Sequence, residues 1–377
     1  MFWLSPNPPK RSRHVEEVQT YYRTIDELSS HGRFAEFEDL NAYLDFPREK
    51  VAVFRNNPYL SSGQVVVQIL GVTEGKIIGA VGMFPFHIVA DKERYEVCAC
   101  PLTHVHPNYR RTMYGVELAQ RTVDVSADKA TLNYGLSEKS ARLNRYLKAP
   151  LFPVRQFAYV KRSRLFFAQR LPKAIGWLLC PLMDVAFWIH RLLIGIVVGF
   201  RTFCWKIERV DVDDEDAVQQ FCAMIAEDGH RFREDMDTKG VRWILTNDFF
   251  PSEMADKKLY RVKVKNRTIG YFMTRRSEHG ARGRILEWQT AKGFESAIPW
   301  MLIRAAKLLI RNTDAVVVSV GEDENSVVKI LKRFLIPFTT QYAVVGTRGD
   351  SPLRSHEGWN LAANWRIRPA MGDGCFY

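Results

Sequence analysis

The chain of 377 residues has few cysteines, and none stands in a metal-binding or bridge-rich pattern. Its six, at positions 98, 100, 180, 204, 222 and 375, form no Cys-x-x-Cys pair, no zinc spacing with histidine and no dense disulfide framework. That excludes a zinc module and a stapled secreted domain, leaves no metal to expect, and fits a reducing, cytoplasmic compartment. Cys98-Ala99-Cys100 reads as alternation along a strand. The start, Met1-Phe2-Trp3-Leu4-Ser5-Pro6, lacks a long apolar core behind a basic end, so no secretory signal is expected. An uninterrupted apolar run of spanning length is also missing. Residues 174–200 are apolar, but Asp184 and Arg191 divide them and Pro181 interrupts any helix, so membrane spanning is not expected. No recognised nucleic-acid motif accompanies the basic residues, and nucleic acid is not an expected partner.

Positive charge is plentiful: 54 Lys and Arg against 42 Asp and Glu give +12. Much of it brackets that apolar run, with Lys161, Arg162, Arg164, Arg170, Lys173, Arg191, Arg201 and Lys206 around and within it. The favoured expectation for 163–207 is a pair of buried helices connecting two domains, because an apolar helix face is more often core than membrane surface. The alternative is an interfacial element, with Trp177, Phe187, Trp188 and Phe200 among lipid headgroups and the arginines on phosphates.

The most informative stretch is Thr103-His104-Val105-His106-Pro107-Asn108-Tyr109-Arg110-Arg111-Thr112-Met113-Tyr114-Gly115, followed by the helical run Val116-Glu117-Leu118-Ala119-Gln120. A β-rich run ends, a short basic turn follows, and an amphipathic helix begins at once. Backbone N–H groups at such a helix start, with Arg110 and Arg111 beside them, suit a pyrophosphate. Upstream, residues 64–72 and 76–90 are β-branched runs joined by Thr73-Glu74-Gly75, which reads as a hairpin. Residues 94–105 make a third strand in which Pro101 breaks regular pairing and favours a bulge or splay. Downstream come a strand at 130–136 and a helix at 137–148. By period two, Glu96 and His104 share one face of the third strand, so either is a candidate proton acceptor; histidine has the better unperturbed pKa, and glutamate needs burial.

This order resembles the GNAT superfamily of N-acetyltransferases, whose splayed strand leads into an Arg/Gln-x-x-Gly-x-Gly/Ala loop and a helix. The matching hexad is Arg110-Arg111-Thr112-Met113-Tyr114-Gly115, with Met113 in place of the first glycine. The family's Asn-x-x-(small)-x-x-x-Tyr pattern is matched by Ser140, Ala141 and Tyr146, without the asparagine. The resemblance implies acetyl-CoA or another acyl-CoA as co-substrate. Thr103 and Val105 would lie along the pantetheine, residues 110–115 on the pyrophosphate, and Tyr146 would donate a proton to the departing thiolate.

After Asp211-Val212-Asp213-Asp214-Glu215-Asp216 the order of elements repeats. There are strands at 258–265, 268–275 and 284–291, a helix at about 295–311, a strand at 315–320 and a helix at about 325–334. Only Lys292 and Gly293 suggest an anion loop there, and the last helix has no tyrosine, so this half is expected to lack a cofactor site. Trp365-Arg366-Ile367-Arg368 with Met371-Gly372-Asp373-Gly374-Cys375 resembles the ending of tandem GNAT-like proteins associated with bacterial polysaccharide biosynthesis, as do Asn57-Pro58-Tyr59 and Val241-Arg242-Trp243.

The expected architecture is α+β: two GNAT-like domains with mixed, mainly antiparallel sheets, at 1–162 and 208–377, joined by an apolar helical linker at 163–207. The expected activity is acyl-CoA-dependent N-acyl transfer, acetyl by resemblance, to an amine such as an amino sugar or glycan precursor. Localisation is then cytoplasmic, with peripheral membrane contact through 163–207 under the interfacial reading. Two rivals are carried: aminoacyl transfer from charged tRNA to a peptidoglycan precursor, and a non-catalytic GNAT-like scaffold at the membrane surface.

Overall fold

A computed structural model describes residues 18–30, 48–74, 76–100, 103–109, 113–136, 138–163, 173–247, 256–277, 281–321 and 324–370. The first half runs β1 (Gln19–Thr24), α1 (Ile25–Ser30), α2 (Arg48–Arg55), β2 (Val66–Thr73), β3 (Lys76–Gly82), β4 (Phe84–Ala90), β5 (Glu93–Ala99), β6 (His104–Val105), α3 (Tyr114–Val125), β7 (Ala130–Leu136), α4 (Glu138–Tyr146) and β8 (Leu151–Val160). One long helix, α5 (Lys173–Arg201), follows. The second half repeats the pattern with β9 (Trp205–Val210), α6 (Glu215–Ala226), β10 (Phe232–Glu234), α7 (Thr238–Thr246), β11 (Asp256–Val264), β12 (Arg267–Arg276), β13 (Arg282–Thr290), α8 (Ile298–Leu309), β14 (Ala315–Gly321), α9 (Asn325–Phe334) and β15 (Ile336–Thr347).

Local chemistry explains several boundaries. The acidic run before α6 is a helix start: the Asp214 carboxylate accepts from the Ala217 amide, and Glu215 and Asp216 occupy the positive end of the helix dipole. Asp237 caps α7 in the same way through the Gly240 amide. In α9, Val327, Val328 and Leu331 form the buried stripe and the charged residues lie opposite.

The strands form a four-stranded sheet, β1-β2-β3-β6, and an eleven-stranded sheet, β10-β4-β5-β7-β15-β8-β14-β13-β12-β11-β9. In its centre the closing strand of each half lies against the other half. β15 pairs antiparallel with both β7 and β8, and β8 pairs antiparallel with both β15 and β14. Neither strand was foreseen from the sequence, since an exchange between halves leaves no local signal. The largest core is shared in the same way, with Phe84, Val97 and Leu132 of the first half packed in one cluster with Phe221, Trp243 and Trp365 of the second.

Of the residues singled out for their family likeness, Trp243 ties the second half to the first, and Asn57, Trp365 and Arg366 make contacts within their own halves. Asn57 Nδ2 donates to the Pro85 carbonyl (2.8 Å), the Trp243 indole N–H donates to the Val53 carbonyl (3.1 Å), and Trp365 stacks on Phe232 at 4.8 Å. Arg366, 1% exposed, makes two hydrogen bonds to the Glu287 carboxylate (2.7 and 3.1 Å), one to Asp228 (3.2 Å) and one to the Trp288 carbonyl (3.0 Å). Burial works to raise the Asp228 pKa, but the His230 hydrogen bond and the Arg366 charge outweigh it and hold the group far below the usual carboxylate range. A carboxylate depressed in this way contributes stability above its unfolded pKa of about 4 and loses it as pH falls towards the folded value. Acid unfolding followed by circular dichroism should therefore set in below about pH 4, and Asp228→Asn should flatten that limb. A wild-type and variant of identical acid sensitivity would contradict the assignment.

Two expectations for 163–207 are corrected. The helix at Lys173–Arg201 continues through Pro181, which was expected to interrupt it. Beyond Pro181 the turn is anchored from outside: Ser163 Oγ donates to the Cys180 carbonyl (3.0 Å) and the Ser163 amide to Asp184 Oδ1 (2.6 Å). The helix is also largely exposed rather than buried. In Leu179–Arg201, long and apolar enough to cross a membrane, only 17% of the defining window is covered by protein.

Candidate functional site

The third strand of the first half is where regular pairing fails. β5 pairs with β4, and β6 continues the same direction beside β3, but the register slips by one residue between the Phe84–Ala99 and Ala80–His104 partners. One extra residue on one strand is the signature of a bulge. It falls where Pro101 was expected to disturb pairing; Pro101 itself lies outside the described residues.

On its other edge β5 meets β7 in parallel at a single pair, Cys98 and Thr131. Beyond it the two strands part. The Cys100 amide, which would otherwise seek a carbonyl on β7, is taken by the side-chain oxygen of Asn133 at 2.8 Å. Thr103, next in the described chain, is exposed, and its hydroxyl donates to the Cys100 carbonyl (3.1 Å). Val105 is half-buried with its backbone paired to Gly79, and the His106 amide donates to the Ile78 carbonyl (2.8 Å). The result is a wedge between β5–β6 and β7.

α3 starts at the mouth of this wedge. Met113 precedes its first residue at φ −73°, ψ −4°, and among the described residues no side chain caps the helix start. That backbone is right-handed, so a methionine fits without strain where the family pattern has glycine. Met113 is 58% exposed. Tyr114 is buried, and its hydroxyl reaches β2 so closely that a Cβ on Gly71 would lie 1.6 Å from it. Among the described residues an added Cβ at Gly115 would meet only Val105 Cγ2, at 3.9 Å, an ordinary contact that leaves room for a side-chain stub between the helix start and β6. Arg110, Arg111 and Thr112 lie outside the described residues.

Between α3 and α4, over β7 and β15, lies a cavity of about 410 Å³. Thr131, Asn133, Asn144, Lys148, Arg348 and Arg354 are in its wall. Arg348 is held by Asp350 and by Asp124 (3.4 Å), and Arg354 Nε donates to Thr347 Oγ1 (2.9 Å). The cavity thus pairs amide and hydroxyl groups near the wedge with a basic rim contributed by the exchanged end of β15.

Of the catalytic candidates, Glu96 is half-buried on β5, opposite His87 on β4. Burial, then the nearby Asp128 charge, raises its carboxyl pKa. His104 is placed through its backbone, paired with Ala80 on β3. Tyr146 closes α4 and is 68% exposed, and it is not in the cavity wall, where its neighbours Asn144, Leu147 and Lys148 are. The wedge therefore brings together Thr103, Val105, Gly115 and Asn133 and leaves Tyr146 outside. Asn133 and Asn144 were missed from sequence; a polar residue inside the apolar 130–136 strand was the available signal. Arg348 and Arg354 gave none, because they reach the site only through the strand exchange.

No family model matches this sequence, and no curated protein matches it. Solved structures do resemble the fold. Saccharomyces cerevisiae N-myristoyltransferase with bound myristoyl-CoA is similar at a TM-score of 0.53 and 12% identity, over 91% of this chain and 82% of that one. A second structure of the yeast enzyme with myristoyl-CoA gives 0.51 and 10%, over 91% and 86%. The fold is GNAT-like, and it is doubled. A GCN5-related N-acetyltransferase from Anabaena variabilis is more distant, at 0.48 and 14% over 87% and 72%.

Proposed function

We propose that the protein is an acyl-CoA-dependent N-acyltransferase whose first half holds the acyl donor. The observation that carries this is the wedge: β5 leaves β7 after one pair, an asparagine side chain satisfies the first stranded amide, and a helix start that no described side chain caps stands at its mouth. The pantetheine arm, an extended chain with two amides, runs along the edge at Thr103 and Val105. The pyrophosphate sits on the α3 start with Arg110 and Arg111, in the manner of anions at helix N-termini. Among the described residues the second half offers no equal opening. There β13 and β14 pair over only three residues, but the freed edge is occupied, the Ala370 amide donating to the Leu286 carbonyl at 2.8 Å, which supports placing the cofactor in the first half.

In the reaction the acceptor amine attacks the thioester carbonyl, the carbon–sulfur bond breaks, and the amine proton passes to a base while the thiolate leaves as CoA. Positioning and fixed amide dipoles supply most of the acceleration. Glu96, with its raised pKa, and His104 are the proposed bases; Tyr146, exposed at the end of α4 and outside the wedge, is not given the acid's role. The donor is proposed as acetyl-CoA and the acceptor as an amino sugar or glycan precursor, by likeness of the chain's ending alone.

Thermal denaturation with acetyl-CoA, longer acyl-CoAs and bulk tRNA tests the donor. Acetyl-CoA should raise the melting temperature and tRNA should leave it unchanged; the reverse would install the aminoacyl-transfer rival. Tyr146→Phe should leave kcat unchanged, since its side chain stands outside the wedge. A loss of about tenfold or more, the size general acid catalysis supplies, would bring Tyr146 back into the mechanism.

A further inference from the structure

Residues 161–206 contain eight basic residues and a single acid, Asp184. The structure shows what the charges inside the apolar helix do. Asp184 Oδ1 accepts from the Ser163 amide (2.6 Å), and Arg191 Nη1 donates to the Val160 carbonyl (3.0 Å). With Phe187, Ile194 and Val198, which are buried, these two residues form one stripe at positions 184, 187, 191, 194 and 198, the spacing of a single helix face. Every polar interruption seen in the sequence is therefore turned inward. The opposite face, from Leu182 through Trp188, Leu192, Leu193 and Ile196 to Phe200, is exposed and carries no charge, and Phe203 extends it at 85% exposure. Soluble monomers seldom expose so large a continuous apolar surface.

We propose that α5 lies flat in the surface of an anionic lipid bilayer, its outer face among the acyl chains and the flanking basic residues on lipid phosphates. The inward stripe fastens the helix to the protein along its length, so it cannot stand across a bilayer. An in-plane position buries the apolar face and lets Arg201, exposed at the C-terminal end of the helix, reach the headgroups. A second copy of the chain is the poorer occupant. Pairing two such helices would bring like charges together at their ends, and the one acid available is already bonded inward. This attachment is independent of acyl transfer and can fail or hold without it.

Sedimentation of the full chain with phosphatidylcholine vesicles, with and without phosphatidylglycerol, tests the proposal. The protein should pellet with the anionic vesicles, less so as salt is raised. Trp188→Glu/Leu193→Glu should stay in the supernatant while keeping the wild-type circular dichroism and melting temperature, since both side chains point outward. Vesicles with brominated chains should quench tryptophan fluorescence most when the bromines lie near the headgroups, and Trp188→Phe should remove most of that quenching. Failure of the wild type to pellet, equal pelleting of the double variant, or a stable dimer that the double variant dissolves would each overturn the proposal.

Discussion

Glu287→Leu should lower the free energy of unfolding by about 3–5 kcal/mol, because it strands the Arg366 guanidinium where water cannot reach it. Glu287 is fully buried and takes two of the hydrogen bonds that Arg366 makes. The pair joins β13 to the segment after β15, so its loss loosens the second half. Arg366→Met/Glu287→Leu should recover part of the deficit, since two apolar side chains can replace a buried ion pair at little net cost while Asp228 loses its guanidinium partner. Urea unfolding of the three proteins measures both effects. A single variant about as stable as wild type, or a double variant no better than the single, would contradict this account of the buried pair.

Gly71→Val should cost about 1–3 kcal/mol, the usual range for overpacking, and should abolish binding of CoA at the same time. A Cβ at residue 71 would collide with the Tyr114 ring as well as its hydroxyl, lying 2.3 Å from the ring carbon that bears it. Tyr114 is the first residue of α3, so the helix start must shift for the side chain to fit. Gly71→Val/Tyr114→Leu should restore stability measured by thermal denaturation. If Gly71→Val binds CoA normally, the position of the α3 start does not govern the site.

Elements with a strong local signal were legible in the sequence. The strand at 130–136, the helix at 325–334 and the hairpin that follows the acidic-capped start of the second half stand where their periodicity and turns place them. The duplication was legible for the same reason, as a repeated order of local patterns. What the sequence concealed depends on pairing at long range. β8 and β15 find partners in the opposite halves, and the basic rim of the cavity comes from residues more than two hundred positions away from β7. The 174–200 stretch misled for a different reason. Its charges looked like interruptions of an apolar run, whereas on a helix Asp184 and Arg191 share the covered face and leave the other uniformly apolar.

The wedge was half visible. Pro101 announced a break in pairing, but nothing in the sequence showed that Asn133 would hold the edge open or that Gly115 would leave room beside β6. That room gives the most direct test. Calorimetric titration of CoA into the intact chain and into Gly115→Trp, with thermal denaturation of both to confirm that the variant folds, compares a clear α3 start with one that carries a bulky side chain. The account predicts a single site in the intact chain and an affinity at least tenfold lower, about 1.4 kcal/mol, in the variant. No heat of binding in the intact chain, or equal affinity in both, would contradict it.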